Sequence, residues 1–233
     1  MKIDLYLGSD LGAWVLDEIS AENVNHIITL DKQLAQRAAE KGMRVIVGNA
    51  NNKQFAPAAI GFSVHYPRLI RQPLLSQYQK IYNLHPGYLP WGRGYYPVFW
   101  AMWEDTPAGA TLHEMVEDVD AGDIVAQAKV AQQVDDTGYT LFQRVRQAEK
   151  GIFQTYFPRM VQGEVFPTLA QSADVGTYHA KKEFFELKSP QNWRSMSAEK
   201  LAKLTRCLSF PGYTGLELTL DGQRFSFVAE PIE

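Results

Sequence analysis

The sequence has a single cysteine, Cys207, among its 233 residues. One cysteine excludes an internal disulfide and favours a reducing compartment. No stretch of eighteen apolar residues occurs, so no membrane-spanning helix is predicted. The N-terminus, Met1-Lys2-Ile3-Asp4-Leu5, lacks the apolar segment of a signal peptide, and we expect a cytoplasmic protein with no membrane partner. Cys207 itself, in the segment Arg206-Cys207-Leu208, is predicted to be a small core residue.

The chain also lacks a strong excess of charge of either sign. Its formal net charge is -3, with 21% charged and 45% hydrophobic residues. A nucleic-acid-binding protein needs clustered Lys and Arg to displace counterions from phosphates, so no nucleic-acid partner is predicted. The length and composition suit one good core with a small second subdomain.

Several short catalytic motifs are missing. Gly8-Ser9-Asp10-Leu11-Gly12 has neither the third glycine of GxGxxG nor the lysine of a P-loop, and Asp10 would repel a phosphate at a helix start. No serine stands in a GxSxG setting, so no nucleophilic side chain is evident. The acidic loop 117–123 places Gly122 and Asp123 where a calcium loop needs an oxygen ligand and then glycine, so calcium is not predicted.

Apolar runs alternate with segments of helical spacing over the first half of the chain. Strands are predicted at residues 3–8, 26–30, 43–47, 60–66 and 81–85, with helices at 11–19, 34–41 and 74–79. A helix at 96–103, a β pair at 111–116 and 124–130, and a long helix at 137–162 are predicted to follow. The alternation of strands and helices predicts an α/β fold with a Rossmann-like, mostly parallel sheet.

The texture of the sequence changes after Gly163. A short helix is predicted at 197–207, and Asp221-Gly222 between two alternating runs predicts a β-hairpin over 215–228. We therefore predict a catalytic domain at residues 1–172 and a small β-containing C-terminal subdomain at 173–233.

The most informative polar residues lie at the end of the fifth predicted strand. Asn83 and His85 are two apart, so in an extended backbone both side chains point to one face, just before a loop rich in Pro and Gly. A carboxylate, Asp120, follows 35 residues after His85. An amide donor, an imidazole and a carboxylate suit acyl transfer directly between two bound substrates.

Other interpretations of these residues stay open at this point. His85 can be a structural histidine and Asn83 a turn residue. His113 is a rival imidazole, although it falls inside a predicted strand. A zinc site built from His85, His113 and Asp120 is a further alternative, although no HExxH or CxxC spacing supports it.

The sequence resembles the catalytic core of the 10-formyltetrahydrofolate-dependent formyltransferases, most strongly over residues 63–130. The motifs that carry the resemblance are Asn83-Leu84-His85-Pro86, Leu89-Pro90, Arg93-Gly94, Pro97, Trp100-Ala101, Gly109, Thr111-Leu112-His113 and Val119-Asp120-Ala121-Gly122-Asp123-Ile124. The resemblance implies the formyltransferase fold, a catalytic triad of Asn83, His85 and Asp120, and 10-formyltetrahydrofolate as co-substrate without a metal.

The resemblance also implies contacts to the folate. The turn Arg68-Leu69-Ile70 stands where the backbone of the family holds the pterin ring, and Val116 and Asp118 are expected to contribute. The chain departs from the family in its short length, its unusual opening and Gly87, where many relatives carry serine.

The resemblance further narrows the amine that accepts the formyl group. Gly8-Ser9-Asp10-Leu11 does not keep the phosphate loop of the glycinamide ribonucleotide transformylases. The appended tRNA-binding domain of methionyl-tRNA formyltransferases and the N-terminal domain of formyltetrahydrofolate hydrolases are not expected in this chain. Segments 176–182 and 209–213 resemble the nucleotide-sugar N-formyltransferases that act on amino sugars of surface polysaccharides. We therefore expect a dTDP- or UDP-linked amino sugar as acceptor, with another small amine such as glycinamide ribonucleotide as the alternative.

A nucleotide-linked sugar needs cations for its diphosphate and aromatic faces for its base. The candidate residues are Trp91, Arg93, Gly94, Tyr95, Tyr96, Lys181 and Lys182. The alternative is that the two lysines are a solvated pair and the aromatic rings are hydrophobic packing. A homodimer is compatible with this interpretation. Two other classes remain for comparison, a catalytically silent folate- or sugar-binding protein and a Rossmann-type oxidoreductase, and the intact triad and the missing GxGxxG argue against them.

Overall fold

The computed structural model describes residues 1–172 and 174–230. Its strands, in chain order, are β1 (Ile3–Leu7), β2 (Val24–Thr29), β3 (Val45–Val47), β4 (Ile60–Val64), β5 (Lys80–His85), β6 (Arg93–Gly94), β7 (Ala108–Glu114), β8 (Ile124–Val130), β9 (Tyr178–His179), β10 (Leu216–Leu220) and β11 (Gln223–Phe227). Seven of them form one sheet in the order β3-β2-β1-β4-β5-β7-β8.

The sheet is mostly parallel, as the sequence predicts. Strands β1 to β5 pair in parallel, whereas β7 runs antiparallel to β5. All five residues of β1 are buried, as expected of a parallel strand covered on both faces, and they include the charged residue Asp4. The predicted α/β fold with a Rossmann-like sheet is therefore confirmed.

The helices, in chain order, are α1 (Ser9–Glu18), α2 (Lys32–Glu40), α3 (Pro97–Trp103), α4 (Gly138–Val161), α5 (Lys181–Lys188) and α6 (Ala198–Leu208). Helix α2 begins where the Asp31 carboxylate accepts hydrogen bonds from the backbone N–H groups of Gln33 and Leu34. The helix predicted at 74–79 is wrong, because only the three residues Leu75–Gln77 form a 3-10 helix there. Helix α5 was not predicted.

Phe153 anchors the second half of α4 on the sheet. Its ring stacks on Phe62 of β4, with the ring centroids 5.6 Å apart, and on Phe157 one turn further along α4. All three rings are buried. The aromatic residues that predict a buried face for this helix therefore do pack on the sheet.

The backbone forms two compact units that interleave along the sequence. The first consists of Met1–His85, Thr111–Gln127 and Glu149–Gln171. The second consists of Pro86–Ala110, Ala128–Ala148 and the chain from Ser172 onward. The predicted boundary between residues 172 and 173 concerns folding domains, and it stays a prediction beside this division.

Cys207 lies in the apolar core of the second unit. Its side chain is 1% exposed and packs with apolar residues of α3, α4 and β10. Burial raises the pKa of its thiol to about 12, so it is not a nucleophile near neutral pH. The prediction of a small core residue is confirmed.

The predicted hairpin is also present. Strands β10 and β11 pair antiparallel around Asp221 and Gly222, whose φ values of 49° and 80° match the left-handed turn that Asp-Gly favours. Within residues 1–172 and 174–230, no helix combines the length and the apolar character needed to cross a bilayer.

Candidate active site

The register of two strands gathers four polar side chains on one face of the sheet. Asn83 of β5 lies opposite His113 of β7, and His85 lies opposite Thr111. Residues two apart share a face and directly opposed residues are neighbours, so all four side chains meet there. His85, Thr111 and His113 are buried. The predicted pair Asn83 and His85 is thus brought together with two residues from the neighbouring strand.

Hydrogen bonds define how the pair Asn83 and His113 is arranged. Nδ1 of His113 donates to the carbonyl oxygen of Glu114 at 2.7 Å, because a carbonyl can only accept. With Nδ1 protonated in the neutral ring, Nε2 accepts from Nδ2 of Asn83 at 3.2 Å. His113, which sequence analysis left as a rival imidazole inside a strand, therefore orients the amide of Asn83.

Asp120 lies between the two imidazoles. Its Oδ2 is 3.6 Å from Nδ1 of His85, and its Oδ1 is 3.5 Å from Nε2 of His113. Both distances exceed a direct hydrogen bond, but the separation from His85 is short enough for electrostatic attraction between the carboxylate and that imidazole when it is protonated. The carboxylate is only 13% exposed, so its field on His85 is weakly screened. The structure therefore brings Asn83, His85 and Asp120 together.

The loop that carries Asp120 is held by the backbone and by Gln171. Asp120 has a φ of 52°, which Asp tolerates better than most residues. A Cβ at Gly122 would stand 2.0 Å from the carbonyl oxygen of Glu114, so only glycine permits this close approach. Nε2 of Gln171 donates to the carbonyl oxygens of Asp120 at 2.9 Å and of Gly122 at 2.7 Å. Gln171 lies 51 residues away from Asp120 in a polar stretch, and no sequence signal points to it.

Residues predicted to contact the folate lie in the same compact unit. The turn Arg68-Leu69-Ile70 is fixed by Asn51, whose Nδ2 donates to the carbonyl oxygen of Leu69 and whose Oδ1 accepts from the N–H of Arg71, both at 2.8 Å. Ile70 is buried, whereas Arg68 and Leu69 are exposed. Sequence analysis did not identify Asn51. Its local 3-10 turn, Ala50–Asn52, gives no indication of this long-range contact.

The remaining predicted folate contacts, Val116 and Asp118, lie on the loop between β7 and Asp120. Both are exposed. Their exposure in the first unit, close in sequence to Asp120, leaves them accessible to a ligand. Their contact with folate stays a prediction.

The residues predicted to bind the acceptor lie in the second unit. Arg93 and Gly94 form β6, which pairs with β9, and the N–H of Tyr95 continues this pairing to the carbonyl oxygen of His179 at 3.0 Å. Nε of Arg93 is buried without a hydrogen-bond partner among the described residues. This short sheet was not predicted, and it fixes the backbone of the glycine-rich loop.

The other predicted acceptor contacts differ in exposure. Tyr96 stacks on Phe184 of α5 at 4.0 Å between ring centroids, so packing covers one of its faces, whereas Tyr95 is 51% exposed and Trp91 is half-buried.

The two lysines begin α5, and each has a partner within the helix. Nζ of Lys181 lies over the ring of Phe185, and Nζ of Lys182 is 3.4 Å from Glu186. This is the arrangement expected of a solvated pair. Their role toward an acceptor stays a prediction.

The comparison with protein families decides the identity of this fold. The sequence pattern of the formyl transferases matches residues 29–156, more than half of the chain, and this range includes Asn83, His85 and Asp120. The chain belongs to the formyl transferase family. The resemblance of its motifs to the formyltransferases is thereby confirmed.

Solved structures share the fold of this formyl transferase along most of its length. A 4-N formyltransferase from Francisella tularensis has a TM-score of 0.84 and 20% identity, over 100% of this chain and 98% of that one. An N-formyltransferase from Helicobacter canadensis, in complex with folinic acid and dTDP-3-aminofucose, has a TM-score of 0.74 and 16% identity, over 95% and 85%. A methionyl-tRNA formyltransferase from Clostridium thermocellum has a TM-score of 0.68 and 16% identity, over 100% and 94%. At these identities the likeness shows the fold alone.

The part of this formyl transferase that the structure describes has no set of side chains arranged as ligands for the zinc or calcium considered above. Among residues 1–172 and 174–230, no group of three or more His, Cys, Asp or Glu side chains could hold a metal ion. The two imidazoles beside Asp120 instead meet in an edge arrangement, with ring centroids 6.2 Å apart.

The contacts of Gln171 generate a first prediction. Replacing Gln171 by Ala removes two hydrogen bonds to the Asp120 loop, and it also removes an Oε1 atom that is buried without a hydrogen-bond partner among the described residues. We expect the free energy of unfolding to fall by about 1 kcal/mol. The activation free energy of formyl transfer should rise by more than this amount, so that the rate falls. Urea unfolding and initial rates measure the two effects.

Gln154→Ala is the matched control. Nε2 of Gln154 also makes a side-chain hydrogen bond, to Glu18 at the exposed surface of the same unit. We expect it to leave the rate unchanged. Equal rates for the Gln171→Ala and Gln154→Ala variants would contradict the role given to Gln171.

Proposed function

We propose that this formyl transferase moves the formyl group of 10-formyltetrahydrofolate to the amino group of a nucleotide-linked amino sugar. The observation that carries the proposal is the buried face on which Asn83, His85 and Asp120 converge. It combines a hydrogen-bond donor, an imidazole and a weakly screened carboxylate, without a nucleophilic side chain among them. Such a set suits transfer between two bound substrates.

Asn83 acts as a donor in this proposal. An amide NH2 group has two hydrogens, and one of them points to Nε2 of His113. The second is available to the formyl oxygen, where negative charge develops as the amine attacks. Because His113 fixes the amide in place, Asn83 does not have to reorganise during the reaction.

His85 and Asp120 manage charge and protons. Asp120 stabilises positive charge on His85 across 3.6 Å in a buried setting, so the imidazolium can donate to the same oxygen. The carboxylate, directly or through a water, then helps to remove the proton that the attacking amine loses. The roles of Asn83, His85 and Asp120 are part of the proposal.

The chain's own residues also fit a folate. Leu69 and Val116 expose apolar side chains, 44% and 45% respectively, in the unit that holds the catalytic face. The backbone of the turn at Arg68-Leu69-Ile70 is fixed by Asn51, as recognition of a flat ring by backbone groups requires. The co-substrate supplies the formyl group when it is bound. The relative from Helicobacter canadensis holds folinic acid, which supports a folate here.

The acceptor is proposed from two kinds of support. The Francisella and Helicobacter relatives are formyltransferases, the second in complex with dTDP-3-aminofucose. Within the second unit, Arg93 of β6 supplies a cation for the diphosphate, and the exposed ring of Tyr95 supplies an aromatic face for the base. A cytoplasmic location and a supply of amino sugars to surface polysaccharides are part of this proposal.

The acceptor prediction is tested by a melting-temperature screen followed by a product assay. A ligand at a hundred times its dissociation constant stabilises a protein by about 2.7 kcal/mol. We expect thymidine or uridine diphosphate to raise the melting temperature and glycinamide ribonucleotide to leave it unchanged. Incubation with 10-formyltetrahydrofolate and the corresponding amino sugar should then give an N-formyl product by mass spectrometry.

Three outcomes of the screen and the product assay would contradict the proposal. If neither nucleotide binds and amino-sugar nucleotides give no product, the acceptor is not a nucleotide sugar. A shift with glycinamide ribonucleotide, accompanied by formylation of it, would favour the alternative amine. Binding of the folate and of the nucleotide-linked sugar without any N-formyl product would indicate a catalytically silent protein.

Chelation gives an independent prediction. The formyl oxygen is polarised by the donors on Asn83 and His85, so the rate should survive exhaustive treatment with EDTA. The measurement is the initial rate before and after chelation, with added zinc as the control. A loss that zinc restores would favour the alternative site of His85, His113 and Asp120.

A further inference from the structure

A second cluster of reactive side chains lies at the ends of β1 and β4. The parallel register that pairs Val64 of β4 with Leu84 of β5 places the end of β4 beside the strand end that carries His85. Oγ of Ser9 is 3.1 Å from Nδ1 of His65, and Nε2 of His65 is 2.6 Å from Oε1 of Glu149. All three residues belong to the first compact unit. A hydroxyl, an imidazole and a carboxylate in this order form a nucleophile, a base and the group that orients the base.

The backbone at Ser9 resembles the strained turn that presents a catalytic serine. Ser9 is the first residue of α1, two residues after the end of β1, and its φ of 58° is a left-handed conformation that few residues other than glycine adopt. His65, at the end of β4, is also left-handed, with a φ of 54°. Two strained residues in contact are costly unless the surrounding structure fixes them, and such strain is concentrated at functional sites.

Gly8 brings the serine to the histidine. Its N–H donates to the carbonyl oxygen of Val64 at 3.0 Å, and a Cβ on Gly8 would stand 2.2 Å from the carbonyl oxygen of His65. Only glycine allows the two strand ends to approach this closely. The sequence Gly8-Ser9-Asp10-Leu11-Gly12 lacks the GxSxG pattern, but Gly8, directly before the serine, allows a similarly close approach.

The exposure of the three side chains increases from the carboxylate through the imidazole to the hydroxyl, as a nucleophilic site requires. Glu149 is fully buried, His65 is 15% exposed, and Ser9 is exposed to solvent. A hydrogen bond from an imidazole to a buried carboxylate is strong, so Glu149 holds the ring of His65 in a fixed orientation. The hydroxyl of Ser9 is exposed and can contact a substrate. An ionised Glu149 accepts from Nε2 of His65, which leaves Nδ1 to accept the proton of Ser9.

We propose that Ser9, His65 and Glu149 form a second acyl-transfer site that cleaves small, uncharged, activated esters. His65 takes the proton from Oγ as Oγ bonds to the acyl carbon. The ester C–O bond breaks, and the leaving alcohol receives that proton from His65. Water then attacks acyl-Ser9, its proton passes through His65 back to Oγ, and a carboxylic acid leaves.

The setting of the site selects among acyl compounds. The carboxylate of Asp10, one residue away, disfavours anionic substrates, so the acyl ester should be uncharged. The ring nitrogens are used in the opposite order to the familiar serine hydrolases, with Nδ1 toward the serine.

A structural role makes a different prediction. Oγ of Ser9 also accepts from the N–H of Leu11 at 3.3 Å, so the serine can serve as a helix cap, with His65 donating to it. In that case Ser9 is no more reactive than any exposed serine. Ser76 provides the matched control, because it is exposed in the same unit and its Oγ bonds to a backbone carbonyl.

Labelling with a fluorophosphonate probe tests the proposal. We expect stoichiometric labelling of the native protein on the peptide that contains Ser9, none in the Ser9→Ala variant, and unchanged labelling in Ser76→Ala. His65→Gln should slow the labelling about a hundredfold. Hydrolysis of 4-nitrophenyl acetate should follow the same order. Native labelling no greater than that of Ser9→Ala, or labelling at another residue, would overturn the proposal.

A thiol exchange keeps the test valid if His65→Gln does not fold. In the Ser9→Cys variant His65 should favour the thiolate, so iodoacetamide should alkylate it at pH 7 about tenfold faster than in Ser76→Cys. The buried thiol of Cys207 does not interfere. Equal rates of alkylation in the two variants would show that Ser9 is a structural cap.

Discussion

The antiparallel register of β5 and β7 is the constraint on which the candidate active site depends. It places Asn83 opposite His113 and His85 opposite Thr111. A shift of one residue in the pairing would turn the polar side chains of one strand, either Asn83 and His85 or Thr111 and His113, to the other face of the sheet. The surrounding apolar residues, such as Leu84 and Leu112, fix this register because they are fully buried on the opposite face.

Once this register is set, the buried polar groups constrain one another. Asn83 needs a partner and finds it in His113, and Asp120 faces both imidazoles. The carboxylate can occupy this position only because its loop is held from outside by Gln171 and by the close approach at Gly122. Buried networks of this kind are rigid when every member is satisfied, which is the condition for stabilising charge that develops during a reaction.

Features with a local signal could be predicted from the sequence, and long-range ones could not. Apolar runs located the strands of the main sheet within a few residues, and the spacing of Asn83 and His85 predicted that these two side chains share one face of the sheet. Gln171 was missed because its contact with the Asp120 loop spans 51 residues. Helix α5 was missed because Lys181 and Lys182 were considered only as acceptor contacts or a solvated pair, although Phe184 packs on the core of the second unit. The contact of Ser9 with His65 was missed because it spans 56 residues.

The most direct test of the account is the single-turnover rate of formyl transfer in the Asp120→Asn variant. Asn keeps the size of the side chain and tolerates the φ of 52°, so the substitution removes only the charge. We predict a rate at least about a hundredfold lower than that of the native protein, with the melting temperature unchanged. A native rate in a variant of native stability would contradict the assignment of Asn83, His85 and Asp120 as the reacting centre.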